Sequence, residues 1–227
     1  MSKAEIIRLM YRTRFAQFAE AAFEAIHPGE ALIRNWHIDV VVHALNTFMT
    51  GDTYRLVVNL PPRSLKSFMT SIAMPAFLMG RDHRRKILIL AGTPDLATEL
   101  RTKIARLMRS HRYRSIFPGI EFREDGRTLL FADGGALSVL RYGEAIIGKG
   151  FDFIVIDDPQ SPSQAEDADK RRQVVQYYNS DVQPRLNSRA SGRVAVVQQR
   201  LHAHDLSGSL PSDEWERLVI PAMSSQA

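Results

Sequence analysis

The segment Lys86–Ala91, KILILA, constrains the fold most: it is apolar almost throughout, has no polar alternation, and is too short for a buried helix. Such a run reads as a strand covered on both faces, the usual condition in a parallel sheet. Phe153–Ile156 repeats the pattern, and Tyr54–Leu60, Ala136–Tyr142, Arg193–Gln198 and Arg217–Ile220 add further β-rich runs. Between them lie stretches that read as helices, at Ile38–Met49 before Gly51, Lys66–Met79, Asp95–Ser110 and Gln164–Tyr178. Upstream, Ile6, Leu9, Met10, Phe15, Phe18, Ala22 and Phe23 recur at helical spacing over Glu5–Ile26, until His27-Pro28-Gly29 ends the pattern. Strands alternating with helices predict an α/β fold: one three-layer α/β/α domain with a mostly parallel sheet, behind a helical N-terminal segment. In such sheets ligands sit at the carboxyl ends of the strands, so those ends are where chemistry is sought.

A chain of 227 residues, 44% hydrophobic and 24% charged, can bury a substantial core. The net charge is +5, with arginine concentrated in Arg81–Arg85 and Arg101–Arg114, a balance compatible with a polyanionic partner. There is no cysteine, which excludes disulfides and thiolate metal sites. No apolar run is long enough to cross a bilayer, and no continuous apolar core marks a leader in residues 1–20, so a cytoplasmic location is expected.

Two strand ends carry the chemistry. After Tyr54–Leu60 comes Pro61-Pro62-Arg63-Ser64-Leu65-Lys66-Ser67, then a helix. Strand, tight loop, Lys-Ser and helix is the layout of a phosphate-binding P-loop, where backbone N–H groups and a helix N-terminus face the phosphates. In that layout Lys66 reaches the β- and γ-phosphates and the Ser67 hydroxyl ligates Mg²⁺. The standard pattern has glycine six residues and one residue before the lysine, whereas Leu60 and Leu65 stand there. A Cβ obstructs backbone approach to phosphate and disfavours positive φ. About 90 residues on, Phe151–Pro159 (FDFIVIDDP) is a buried strand ending in adjacent carboxylates. Asp157 fits the carboxylate that holds the magnesium shell, and Asp158 fits a general base aimed at the attacking water. Each segment alone also reads blandly, as a surface loop and as an Asp-Asp-Pro turn; the pair favours nucleotide hydrolysis.

From Trp36 onward the sequence resembles the phage terminase large subunit family. The loop Pro61–Ser67 is similar to that family's variant Walker A, with Leu65 in place of the more usual glycine. Trp36-His37 lies about 25 residues upstream, as in the family, where the segment is near the adenine pocket. Gly143, Gly148 and Gly150 lead into Ile156-Asp157-Asp158-Pro159 as the family's run into Walker B does. Val197-Gln198-Gln199-Arg200-Leu201-His202, then Asp205-Leu206 and Gly208, resembles its coupling motif, which relays the state of the γ-phosphate to DNA movement.

The resemblance implies an ASCE-type P-loop NTPase core over residues 51–227 behind a helical segment over 1–50 that supplies adenine-side elements. It implies Mg-ATP hydrolysis coupled to pushing double-stranded DNA into a preformed capsid. Pro62, Arg63, Ser64, Leu65, Lys66, Ser67, Trp36, His37 and Gln198 are then the nucleotide-binding set, and Ser67 and Asp157 the metal ligands. Asp158, Lys66 and Arg63 are the catalytic candidates, with Arg141 as a donor to a neighbouring subunit's site. The implied partners are double-stranded DNA, a portal protein, a small terminase subunit and further copies of the chain in a ring. DNA contact is expected mainly through phosphates, with Arg101–Arg114 as the candidate face. Nuclease activity is not expected, since no segment after residue 220 can supply the family's carboxylate metal site. Two other classes compete: a P-loop helicase or kinase, and a docking module whose loop no longer supports turnover.

Overall fold

The computed structural model describes residues 2–148 and 150–221; the last residues of the expected core, 222–227, lie outside the described ones. The chain opens with α1 (Lys3–Thr13), α2 (Phe15–Ile26) and α3 (Trp36–Thr50), then enters β1 (Arg55–Asn59). Lys66 and Ser67 begin a helix that widens into a π-helical stretch, Phe68–Ala73, before α4 (Met74–Arg81). β2 (Lys86–Ala91), α5 (Pro94–Arg109) and α6 (His111–Ile116) follow, then β3 (Phe122–Asp125), β4 (Thr128–Phe131), β5 (Ala136–Arg141) and β6 (Phe153–Asp157). The chain continues through α7 (Pro162–Glu166), α8 (Ala168–Tyr177), a π-helical turn at Tyr178–Val182, β7 (Arg193–Gln198), α9 (Leu206–Ser209) and β8 (Glu216–Val219).

These strands form one sheet in the order β3-β4-β5-β2-β6-β7-β1-β8. It is parallel from β5 to β8, and a β3–β4–β5 meander extends it antiparallel on the far side. β7 separates β1 from β6, so the ends of those two strands lie two strand spacings apart, roughly 10 Å. β2 and β6 bury every residue from Ile87 to Ala91 and from Phe153 to Asp157, as two-sided coverage requires.

Alternation within strands divides the core. Leu56, Val58, Ile87, Ile89, Phe153, Val155, Ala195 and Val197 face the thicker layer, where α2 to α6 and the π-helix pack. Val57, Leu88, Leu90, Ile154, Ile156, Val194 and Val196 face a thinner layer containing Tyr178, Val182, Leu206 and Trp215. Arg193, at the start of β7, donates to the carbonyls of Phe48 (2.7 Å), Thr53 (2.6 Å) and Gly51 (2.8 Å) and lies over the Tyr54 ring. It satisfies carbonyls at the C-terminus of α3 and pins that end to the amino edge of the sheet.

Two expected helices are divided. Glu5–Ile26 breaks at Arg14, which is extended (φ −112, ψ 106). α2 buries Phe15, Phe18, Ala22 and Phe23 while α1 buries nothing, so the break lets two segments with the same apolar period take different environments. Gln164–Tyr178 breaks at Asp167, whose side chain accepts from the N–H groups of Asp169 (2.9 Å) and Lys170 (3.1 Å) and so starts α8. The β3–β4 hairpin, turned at Gly126-Arg127, is short and largely exposed and lacks a strand's apolar signature.

Candidate active site

The Pro61–Ser67 loop leaves β1 at the carboxyl edge and feeds directly into the helix that becomes π-helical at Phe68. Its backbone takes glycine-like conformations without glycine, with φ 61 at Arg63 and φ 60 at Leu65. Leu65 is half-buried against the thicker core, and that packing helps hold a conformation its Cβ disfavours. Ser64 Oγ closes the turn by donating to the Pro61 carbonyl at 2.7 Å. Pro62 and Arg63 are exposed at the tip, whereas Lys66 is buried. Thr70 Oγ1 donates to the Lys66 carbonyl at 2.8 Å, fixing the first turn after the loop.

The loop meets the end of β6 across the intervening β7. Lys66 Nζ lies 2.8 Å from Asp158 Oδ2, and Ser67 Oγ donates to Asp157 Oδ1 at 3.0 Å. Asp157 is fully buried, and its Oδ2 has no hydrogen-bond partner. Burial pushes its carboxyl up from 3.8 to about 6; Asp158 adds to the rise, while Ser71, Ser67 and Lys66 oppose it. A buried carboxylate with an orphaned oxygen beside a serine hydroxyl is a fitting half-site for a hard divalent cation. No cluster of three His, Cys, Asp or Glu side chains exists among the described residues. Mg²⁺ takes one or two protein ligands and completes its shell with water and phosphate oxygens.

Asp158 stands at φ 44. Its N–H donates to Val197 O at 2.8 Å, and its Oδ1 accepts from the Gln199 N–H at 3.1 Å, so β7 holds both its backbone and its carboxylate. Gly92 makes this bend possible: a Cβ there would lie 1.9 Å from the Asp158 carbonyl oxygen. Sequence reasoning missed Gly92, whose only signal is its place directly after the apolar run of β2.

Gln198 ends β7 on the opposite face of the sheet from Asp157. It is buried; its Nε2 donates to Ser207 Oγ at 3.0 Å, and its Oε1 has no partner. Asn59, the last residue of β1, also donates to Ser207 Oγ (3.2 Å) and to the Gln198 carbonyl (3.1 Å). Ser207 begins α9 behind Asp205, a fully buried carboxylate paired with Arg200 at 3.2 Å. Asn59, Ser207 and Ser71 were not singled out from the sequence, because isolated polar residues in apolar surroundings show no spacing pattern. A third buried side chain, Gln160, accepts from the Leu206 N–H at 3.3 Å and leaves its Nε2 unpartnered.

Trp36 and His37 open α3, at the end opposite the one Arg193 holds. Asn35 Oδ1 accepts from the Trp36 N–H at 2.7 Å, and the exposed indole meets the His37 ring edge-on. Arg141 ends β5, two strands beyond β6; it lies 3.7 Å from Glu144, which also pairs with Arg127. The structure thus brings Lys66, Ser67, Asp157 and Asp158 into contact and sets Gln198 on the adjoining strand, while among the described residues no hydrogen bond or ion pair joins Arg63 or Trp36 to them.

No family profile and no curated protein matches the sequence. Solved structures do. The chain superposes over its full length on the HK97 bacteriophage large terminase, with a TM-score of 0.65 at 12% identity, and spans 46% of that protein. The Thermus phage P74-26 large terminase ATPase domain matches 69% of this chain and 63% of its own length, with a TM-score of 0.52 at 18% identity. The α/β/α architecture, with one strand between the loop strand and the acidic strand, is thus a fold found in phage large terminases.

Proposed function

We propose that this chain is the ATP-hydrolysing motor domain of a DNA-packaging terminase large subunit. One observation carries the reading. The amine of Lys66 and the hydroxyl of Ser67, at the end of β1, meet the two carboxylates at the end of β6, at 2.8 Å and 3.0 Å. Such a meeting of cation, hydroxyl and paired acids at a strand edge suits phosphoryl transfer, where catalysis is mostly positioning and charge neutralisation.

In this reading the N–H groups of Pro61–Ser67 cradle the triphosphate, and Lys66 leaves Asp158 to contact the β- and γ-phosphates. Ser67 and Asp157 would hold Mg²⁺, which would supply neutralisation of the phosphate charge. Asp158, freed from Lys66, accepts a proton from the attacking water. Arg63, exposed at the loop tip, contacts the γ-phosphate in cis, and Arg141 serves a neighbouring copy in a ring. Trp36 and His37 form the adenine side, with residues 1–50 as the helical segment and 51–227 as the hydrolytic core. Gln198 registers the state of the γ-phosphate and passes it along Arg200–Gly208. Double-stranded DNA, a portal protein and a small terminase subunit are the partners, in the cytoplasm of an infected bacterium.

The test is steady-state ATP hydrolysis with and without double-stranded DNA. Lys66→Ala and Asp158→Asn should each lower kcat by at least about 100-fold, with DNA stimulating the wild type. Equal rates for all three proteins would leave only a nucleotide-binding or docking module.

A further inference from the structure

The stretch expected to face DNA contains one arrangement that a merely solvated basic surface does not need. On α5, Arg101 and Arg109 stand about two turns apart, and both reach the same carboxylate, Glu124, on the edge strand β3. Arg101 donates to Oε2, and Arg109 Nη1 lies 2.6 Å from Oε1, so each carboxylate oxygen has its own guanidinium. Arg109 also lies over the Phe122 ring at 5.0 Å, which fixes its direction. Hydrogen bonding from Arg109, then the charges of both arginines, keeps the Glu124 carboxyl below the ordinary carboxylate range. Two guanidiniums brought this close repel each other unless an anion lies between them.

The anion they hold is exchangeable. Beside the trio opens a cavity of about 520 Å³ lined by Arg101, Thr102, Arg106, Arg109, Ser110 and Glu124. The Glu124 side chain is 31% exposed and that of Arg109 50%, so an anion from solution can reach both. Arg106 is exposed and has no acidic partner among the described residues. The cavity thus sets three guanidiniums against one carboxylate, with two hydroxyls to add hydrogen bonds. A phosphodiester carries the same single charge as a carboxylate and a similar pair of exposed oxygens, the pattern a guanidinium fork matches. We propose that Glu124 is an internal stand-in for a phosphodiester, displaced when this cavity receives one phosphate of a double-stranded DNA backbone. The proposal rests on the motor reading above and gives the expected DNA face a definite contact point. Among the described residues no aromatic side chain lines the cavity, so nothing there stacks bases, and a duplex backbone suits it better than a single strand. Because the phosphate must first displace Glu124, the grip is weaker than three uncommitted arginines would give. A contact that is weak and blind to sequence can be released and remade as a duplex moves past.

The experiment measures binding of a fluorescent random-sequence duplex across a salt series, with thermal melting as the check on folding. It compares wild type, Glu124→Gln, Arg109→Ala and the double variant. With the internal anion gone, Glu124→Gln should bind the duplex roughly 3- to 10-fold more tightly at about 0.1 M salt and steepen the slope of log K against log salt by about 1. Arg109→Ala should weaken binding more in the Glu124→Gln background than in wild type, because only there is that arginine uncommitted. Unchanged affinity and slope in Glu124→Gln would reduce the trio to a tie between β3 and α5 and overturn the inference with the motor reading intact. So would displacement of the duplex by polyglutamate as effective as by unlabelled duplex at equal charge, the mark of a general anion groove. If Glu124→Gln does not fold, Glu124→Asp takes its place. Its carboxylate, one methylene shorter, cannot hold both arginines, so affinity should rise by a smaller factor, and no rise would count against the proposal. Absence of duplex binding by every protein would remove the DNA-translocating reading together with this one.

Discussion

A leucine at φ 60 costs about 1–2 kcal/mol relative to glycine, yet glycine would also cost about 0.4–1 kcal/mol through the unfolded chain. Leu65 further contributes apolar burial against the core. These terms nearly cancel, so Leu65→Gly should shift the melting midpoint by no more than about 2–4 °C, while a bare backbone at that position should tighten triphosphate binding. Unchanged affinity by fluorescence titration would show that the Cβ does not obstruct the phosphates. Asp157 gives a pH prediction. Its folded value, about 6, lies above the ordinary 3.8, so the protonated form suits the folded state better. The stability it contributes is complete below about pH 4 and is lost as pH rises through 6, a change of about 3 kcal/mol in metal-free protein. Urea titrations in chelator at pH 5 and pH 8 should show about half of this loss, the rest falling between pH 4 and pH 5, and Asp157→Asn should flatten it. The acidic pair and the Lys-Ser loop were legible in the sequence because each sits at the end of an apolar run. Gly92 and Ser207 were not, since their roles depend on contacts with distant segments.

At the level of elements, the strands were the most legible part. Lys86–Ala91 and Arg193–Gln198 fall where their apolar runs predict, since burial on both faces leaves no phase to misjudge. Helix breaks were hidden wherever the apolar period ran through them, as at Arg14, and the β3–β4 hairpin was hidden because its residues are largely exposed. The placement of α3 depends on Arg193, whose guanidinium is the shared donor for Phe48, Gly51 and Thr53. Arg193→Met keeps much of the stem but orphans those carbonyls. It should destabilise the fold by about 2–4 kcal/mol, read as a lower urea midpoint with unchanged slope. A loss below about 0.5 kcal/mol would mean that water satisfies the carbonyls equally well.

On the scale of the whole molecule, the strand order could not be read from sequence, because long-range pairing leaves no local period. It is nonetheless what makes the site, since β7 keeps loop and acids about two strand spacings apart and the side chains of Lys66 and Ser67 cross that gap. The proposed DNA-facing stretch is partly neutralised within the protein. Arg101 and Arg109 both pair with Glu124, and Lys103 with Glu99, whereas Arg106 is exposed with no acidic partner among the described residues. Arg106→Ala should weaken DNA binding and reduce the slope of log K against log salt by about 1, whereas an unchanged slope would move the DNA face elsewhere. The ion pair between Lys66 and Asp158 has a further consequence for how such a site fills. Its principal cation is already taken by an internal anion, so a triphosphate bound as proposed would enter as a competitor for a charge already in use. Release of such a ligand would let the same internal pair re-form.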